Sequence, residues 1–260
     1  MRRLLHLGIL LAAGAVGLAG GGARAGQDLA TQCAVPDELS YSNVAMPQVA
    51  ARLKAGEPVP IVVMGSGSSA GYGLTQADAA YPARLVHELE ARFPHGRFTL
   101  ANLSRRGQLA AEMERRIATE VVAMRPALVI WQTGTVDAVR SVDLGSFAQT
   151  INDGIDILDK HDIDVILMDM QYSPHTSTTL NEEPYRDNMR WISQSRSVML
   201  FDRYGIMHEW GETGVIDFSD TSKADMVRDD NTVHACIAYL LAEMIETAVK
   251  ATAIPETPRQ

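Results

Sequence analysis

The sequence predicts an α/β fold in which five parallel strands form a sheet covered on both faces by helices. Two observations predict it. Five short runs are apolar without the alternation of a half-exposed strand: PIVVM (60–64), RFTLANL (97–103), ALVIWQTG (127–134), DVILMDM (164–170) and SVMLF (197–201). Such runs fit strands buried on both faces. The segments between them carry apolar residues at helical spacing, and strands alternating with helices build a parallel sheet.

The elements follow in order. Residues 26–58 hold few periodic apolar positions and form an extension that ends in a short helix, MPQVAARLKAG, with Pro47 in its first turn and Gly56 as its stop. The segment 81–93 is an amphipathic helix with Leu85, Leu89 and Phe93 on one face. A helix is expected over 109–124, with Pro126 just beyond it, another over 144–162, and another around 182–195. The last helix is expected over 233–249, where Val233, Ile237, Leu240, Leu241, Met244 and Ile245 make a broad apolar face. Residues 251–260 read as a flexible tail, so 59–250 is one α/β domain, a length suited to a single core.

The chain opens with MRRLLHLGILLAAGAVGLAGGGARAGQ. An Arg pair, an apolar stretch too short to span a bilayer and a small-residue Ala23-Arg24-Ala25 site have the layout of a secretory signal peptide over 1–25. Cleavage near Ala25 implies a periplasmic or secreted protein with no membrane span in its mature form. The formal net charge is −9, and losing three arginines with the leader makes it more acidic. An acidic chain without a basic, aromatic-rich patch is a poor partner for nucleic acid. The two cysteines, Cys33 and Cys236, are expected to pair in an oxidising compartment, the alternative being two separate thiols. No His/Cys spacing suggests a metal, and no cofactor is implied.

Ligands of parallel sheets bind at the carboxyl ends of the strands. Those ends include GSGSSAG (65–71), LSRRGQ, GTVDA and MQYSPH. The first fits G-x-G-x-x-A of a dinucleotide loop, but no helix opens at once, and Asn102 and Ser104 stand where a ribose-binding acid belongs. It also fits G-x-S-x-G, with Ser69 as the nucleophile of an α/β-hydrolase elbow, but that elbow normally follows several strands rather than the first.

A third pattern accounts for more of the chain. VVMGSGSSAGYG, LANLSRRGQ, VIWQTGTVDAV, DMQYSP and ADMVRDDNTVHACIA resemble, in order, the sequence blocks of SGNH (GDSL-type) hydrolases, over residues 60–250. The resemblance implies a flavodoxin-like, three-layer α/β/α sandwich with a five-stranded parallel sheet. It also implies ester or amide hydrolysis, often of acyl groups on lipids or sugars. In that family a serine attacks the carbonyl, and a histidine oriented by an aspartate three residues earlier takes its proton. Two backbone N–H groups and an asparagine amide hold the oxyanion.

Carried over residue by residue, the roles are mostly vacant. Gly67 stands at the nucleophile and has no side chain. Gly107 keeps the second-block backbone N–H. Val136 replaces the asparagine and removes a donor usually worth about 10²–10³ in rate. Asp225 stands at the aspartate and Arg228 at the histidine, where a permanently protonated arginine cannot serve as a base.

The expected reading is therefore a pseudoenzyme. It would bind an acylated saccharide or envelope ligand, or support a protein partner, through a pocket of Ser66, Gly67, Ser68, Gly107, Val136, Asp137, Tyr172, Asp225 and Arg228. In that pocket Asp225 and Arg228 pair with each other or bind an anionic or polyhydroxyl ligand. The alternative is an active serine esterase or deacetylase in which Ser68 or Ser66 works with His234, itself preceded by Asp230 and Asn231. His175 follows the fourth strand without an evident partner.

Overall fold

The computed structural model describes residues 29–219 and 222–252. The leader read over 1–25 and most of the tail after 251 lie outside the described residues. One sheet holds five parallel strands, β1 (Pro58–Met64), β2 (Arg97–Asn102), β3 (Leu128–Gln132), β4 (Asp164–Met168) and β5 (Met199–Phe201). Their order is β2-β1-β3-β4-β5. Its α-helices include α1 (Asp37–Ser40), α2 (Pro47–Ala55), α3 (Tyr81–Arg92), α4 (Ala110–Arg116), α5 (Thr135–Val139), α6 (Leu144–Asp159), α7 (Pro174–Thr179), α8 (Glu183–Arg196), α9 (Arg203–Glu212) and α10 (Lys223–Thr252).

The apolar runs explain the layering. Successive strand side chains point to opposite faces, so each run feeds two cores. Ile61, Val63, Leu128, Ile130, Ile166 and Met168 face α2, α3, α9 and α10. Val62, Met64, Val129, Trp131, Val165 and Leu167 face α4, α6 and α8. The result is the three-layer α/β/α sandwich. Glycine brings α6 unusually close, since a Cβ on Gly154 would lie 2.5 Å from the Trp131 ring.

Helix signals in the sequence are used as expected where they are local. Pro47 opens α2, and Gly56 closes it in a left-handed conformation with φ 67°. Asp143 caps α6 by accepting the Ser146 N–H.

Three elements differ from the sequence reading. The segment 109–124 is not one regular helix: α4 is followed by a π-helical turn, Ile117–Val121, and a 3₁₀ turn, Val122–Met124. The wide turn keeps Ile117 and Val121 both buried. Helix α9 is absent from the sequence reading because its buried face, Arg203, Ile206, Met207 and Trp210, carries an arginine that breaks the apolar stripe.

The last helix begins at Lys223 rather than Val233. Its added turns are polar and carry no apolar period. They are held instead by the Ser222 hydroxyl, which accepts the Asp225 N–H, and by an Asp225–Arg228 pair. By length and composition α10 could cross a membrane. Its apolar residues, from Val233 to Ala248, are instead packed into the domain core.

Two contacts dock the N-terminal extension. Cys33 and Cys236 form a disulfide across 203 residues, and both are fully buried. The Asp164 carboxylate at the start of β4 accepts the Gln48 and Val49 N–H groups at 3.0 and 2.9 Å, satisfying the first turn of α2. Closing so long a loop removes much of the unfolded chain's freedom. Replacing both cysteines by alanine is expected to lower the unfolding free energy by ~2–5 kcal/mol, measured by denaturant titration. Mass spectrometry of the native protein under non-reducing conditions is expected to find no free thiol.

Candidate active-site pocket

The loop after β1 closes on itself in tight turns. The Ala70 N–H donates to the Ser66 carbonyl, Gly71 to Ser68 and Tyr72 to Gly67. Neighbouring strands then pin it. The buried Gln132 at the end of β3 accepts the Ser66 N–H at 2.8 Å and the Ser69 hydroxyl at 3.2 Å, both on Oε1. Asn102, at the end of β2, donates from Nδ2 to the Ser69 carbonyl at 2.7 Å. Gly65 must be glycine here, since a Cβ would lie 2.5 Å from Ser69 Oγ and 2.9 Å from Gln132 Oε1.

Every serine of the loop already has a partner. Ser66 Oγ accepts the Gly107 N–H at 3.1 Å. Ser68 Oγ accepts from Arg203 Nη1 at 2.7 Å. Ser69 Oγ bonds the Tyr81 hydroxyl at 2.8 Å. Gly67 alone presents nothing, although its surroundings would admit a side chain. A Cβ there would meet nothing nearer than Tyr72 Cβ at 3.8 Å and Arg106 Cγ at 3.9 Å, and its backbone is not left-handed.

Beside Gly67 lies a cavity of about 170 Å³, lined by Ser66, Gly67, Ser68 and Tyr72 from the first loop. Gln132 and Thr135 after β3, Gln171 after β4 and Arg203 after β5 complete it. These are carboxyl ends of adjacent strands, where parallel sheets bind ligands. Arg203 is almost wholly buried, and burial lowers its pKa from the usual arginine value.

Of the pocket residues proposed from the sequence, Ser66, Gly67 and Ser68 line this cavity. The others lie elsewhere. Gly107 turns left-handed with φ 78° and spends its N–H on Ser66, while Val136 sits half-buried in α5 next to the lining residue Thr135. Asp137 is buried with its carboxylate on the Ala110 N–H, capping α4, and burial raises its pKa. Tyr172 packs edge-on against Tyr204, His208 and Phe218, beside a different cavity.

Half-buried Asp225 and exposed Arg228 pair with each other on the first turns of α10; Arg228 also pairs with Asp229. The early start of α10 has this consequence: residues expected on a loop over the pocket are wound into a solvent-facing helix. His175 lies exposed in α7. Among the described residues, no cluster of His, Cys, Asp and Glu could hold a metal ion.

His234 and Asp230 also lie on α10, outside the cavity lining. Burial raises the Asp230 pKa. His234 is buried, and its Nδ1 accepts the Tyr81 N–H at 3.1 Å while its ring stacks on Tyr81. An imidazole accepting on Nδ1 carries its proton on Nε2 when neutral. It then has no lone pair left for a serine. Burial, with the nearby charges of Arg203 and Arg84, lowers its pKa from 6.5 to about 3.

Reasoning from the sequence missed Arg203, Gln132, Thr135 and Gln171. Arg203 was findable, since it directly follows the fifth strand and Asp202.

The fold is that of the SGNH (GDSL-type) hydrolases. The model of the non-GDSL lipase-like family matches residues 32–251, and the chain belongs to that family. Solved structures of this fold include a two-domain esterase active on acetylated mannans, co-crystallised with mannopentaose (TM-score 0.63, 17% identity, 82% of this chain and 55% of that one). A catalytic mutant of an acetylxylan esterase from Geobacillus stearothermophilus matches with TM-score 0.58 and 16% identity, over 72% of this chain and 94% of that one. A psychrotrophic esterase from Pseudoalteromonas sp. matches with TM-score 0.51 and 18% identity, over 70% and 98%. At such identities the likeness is one of fold, and the chain spans about half the length of the two-domain esterase. No curated protein matches the sequence.

Two predictions follow from the geometry. Gly65→Ala, overpacked against Ser69 and Gln132, is expected to cost ~1–3 kcal/mol, whereas Gly67→Ser should fold with stability within about 1 kcal/mol of wild type; thermal unfolding of both variants checks this. The His234 pKa is depressed in the folded state, so its neutral form supports folding above pH 6.5. Between pH 6.5 and about 3 the unfolded chain gains a proton that the folded chain refuses. That difference costs up to about 1.4 kcal/mol per pH unit on acidification. His234→Asn, which keeps an acceptor for the Tyr81 N–H, is expected to remove this slope in unfolding experiments run across that range.

Proposed function

We propose that this chain is an exported, catalytically impaired member of its class that binds an acylated saccharide or envelope ligand, or supports a catalytic partner. One observation carries the reading: Gly67, which the family resemblance places at the nucleophile, stands at the wall of a strand-end cavity with room for a side chain. Loss of a serine nucleophile costs on the order of 10⁶ in turnover in a hydrolase that depends on it.

The bonding around the cavity supports the reading further. Ser66 and Ser68 are tied to Gly107 and Arg203, and the buried imidazole of His234 has its lone-pair nitrogen, Nδ1, occupied by the Tyr81 N–H. The Gly107 N–H, which the family resemblance assigns to the oxyanion, is already donated to Ser66. A ligand of the acylated saccharide type is supported by structural neighbours active on acetylated mannans or described as an acetylxylan esterase. The Cys33–Cys236 disulfide supports a periplasmic or secreted location, since such bonds persist in oxidising compartments.

The test is hydrolysis of short aryl esters by the purified protein. Turnover at the uncatalysed background is expected for wild type, Ser68→Ala and His234→Ala alike. Gly67→Ser is expected to add no more than about tenfold, because no general base is free to take its proton. Wild-type turnover that Ser68→Ala or His234→Ala abolishes would identify an active esterase and overturn the reading.

A further inference from the structure

The cavity wall holds a buried cation that no carboxylate among the described residues pairs with directly. Arg203 is 2% exposed, donates from Nη1 to Ser68 Oγ at 2.7 Å and from Nη2 to Gln171 Oε1 at 3.3 Å, and leaves a buried Nε with no hydrogen-bond partner. Both partners are neutral. No carboxylate forms an ion pair with Arg203 among the described residues; Asp169 and Asp230 attract it from beyond ion-pair distance. A buried charge without a close partner is costly and is rarely kept without a use. Ser68 and Gln171 themselves line the cavity, so the Nη1–Nη2 end of the guanidinium faces it.

The remaining lining side chains, Ser66, Tyr72, Gln132 and Thr135, are uncharged donors and acceptors of the kind that recognise hydroxyl groups. Arg203 is the one cation among the lining residues and matches one negative charge; Arg106, stacked on Tyr72, is not part of the lining. A dianion such as phosphate would leave a second charge uncompensated, with Asp169 and Asp230 nearby. At about 170 Å³ the cavity is smaller than the roughly 300–1,000 Å³ of sites for drug-sized ligands, which suits one ring rather than a polymer chain.

We propose that Arg203 makes this cavity a receptor for a small hydroxylated carboxylate, an acidic sugar of the uronate type, with the carboxylate at the guanidinium and the hydroxyls on Ser66, Ser68, Thr135 and Gln132. The inference rests on the binding function proposed above and narrows its ligand class.

Calorimetric titration of the whole protein with glucuronate, its methyl ester, glucose and inorganic phosphate tests it. Glucuronate is expected to bind at least about tenfold more tightly than the other three. Arg203→Gln should lose that preference. Because removing a buried arginine can unfold a domain, Gln171→Glu is the companion variant. It sets a carboxylate beside Nη2 on a half-buried residue, and should weaken glucuronate about tenfold or more while leaving the melting temperature unchanged or raised.

Glucuronate that fails to bind, that binds no better than its methyl ester or phosphate, or that binds Gln171→Glu as it binds wild type would overturn the inference. Binding of the methyl ester or glucose alone would do so while leaving the non-catalytic reading standing. Aryl-ester turnover dependent on Ser68 would overturn that reading whatever glucuronate does.

Discussion

The first loop, and with it the pocket, depends on one buried acceptor. Gln132 Oε1 takes the Ser66 N–H and the Ser69 hydroxyl, fixing both sides of Gly67 to the end of β3. The chain of contacts continues from Ser69 to the Tyr81 hydroxyl, and from the Tyr81 N–H to His234 Nδ1. Strand β3, the loop, α3 and α10 are thereby joined through buried polar groups, each satisfied by the next. Such networks specify a unique arrangement when complete and are costly when broken. Burial pushes the Tyr81 hydroxyl up to about 12, so it stays protonated and remains available as a hydrogen-bond donor. A histidine in this network is a structural acceptor, and its ring serves packing against Tyr81 rather than proton transfer.

Much of the fold was legible because its determinants are local or periodic. The five apolar runs declare a doubly covered sheet, Pro47 and Gly56 mark both ends of α2, and the two cysteines meet as a disulfide. The start of α10 was hidden because Asp225, Arg228 and Asn231 stabilise its first turns through capping and side-chain contacts, which leave no hydrophobic period. The signature Ser222-Lys223-Ala224-Asp225 was the available signal, a helix start written in polar residues. Arg203 was hidden for the opposite reason. An arginine is read as surface from sequence, and only the strand order shows that the end of β5 closes over the same cavity as the end of β1.

The fold makes different demands on the two glycines of the loop. Gly65 is required by the approach of Ser69 and Gln132; Gly67 is required by nothing within 3.8 Å. The position that the family resemblance gives to the nucleophile is therefore one where packing would admit a side chain. The cavity around it has not collapsed.

An ester hydrolase arranges donors for a charge that develops only in the transition state. Here the Gly107 N–H, which the family resemblance assigns to that task, is turned onto Ser66, while a permanent guanidinium stands at the wall of the same cavity. Fixed N–H dipoles suit a transient oxyanion, and a full positive charge suits a ligand that is already anionic in its ground state. On the reading proposed above, that exchange favours holding a bound molecule over converting it. It also explains why the charge can sit so deep: the cost of burying Arg203 is borne by a core closed on both faces of the sheet and cross-linked by the disulfide, and is reduced when a carboxylate enters beside it.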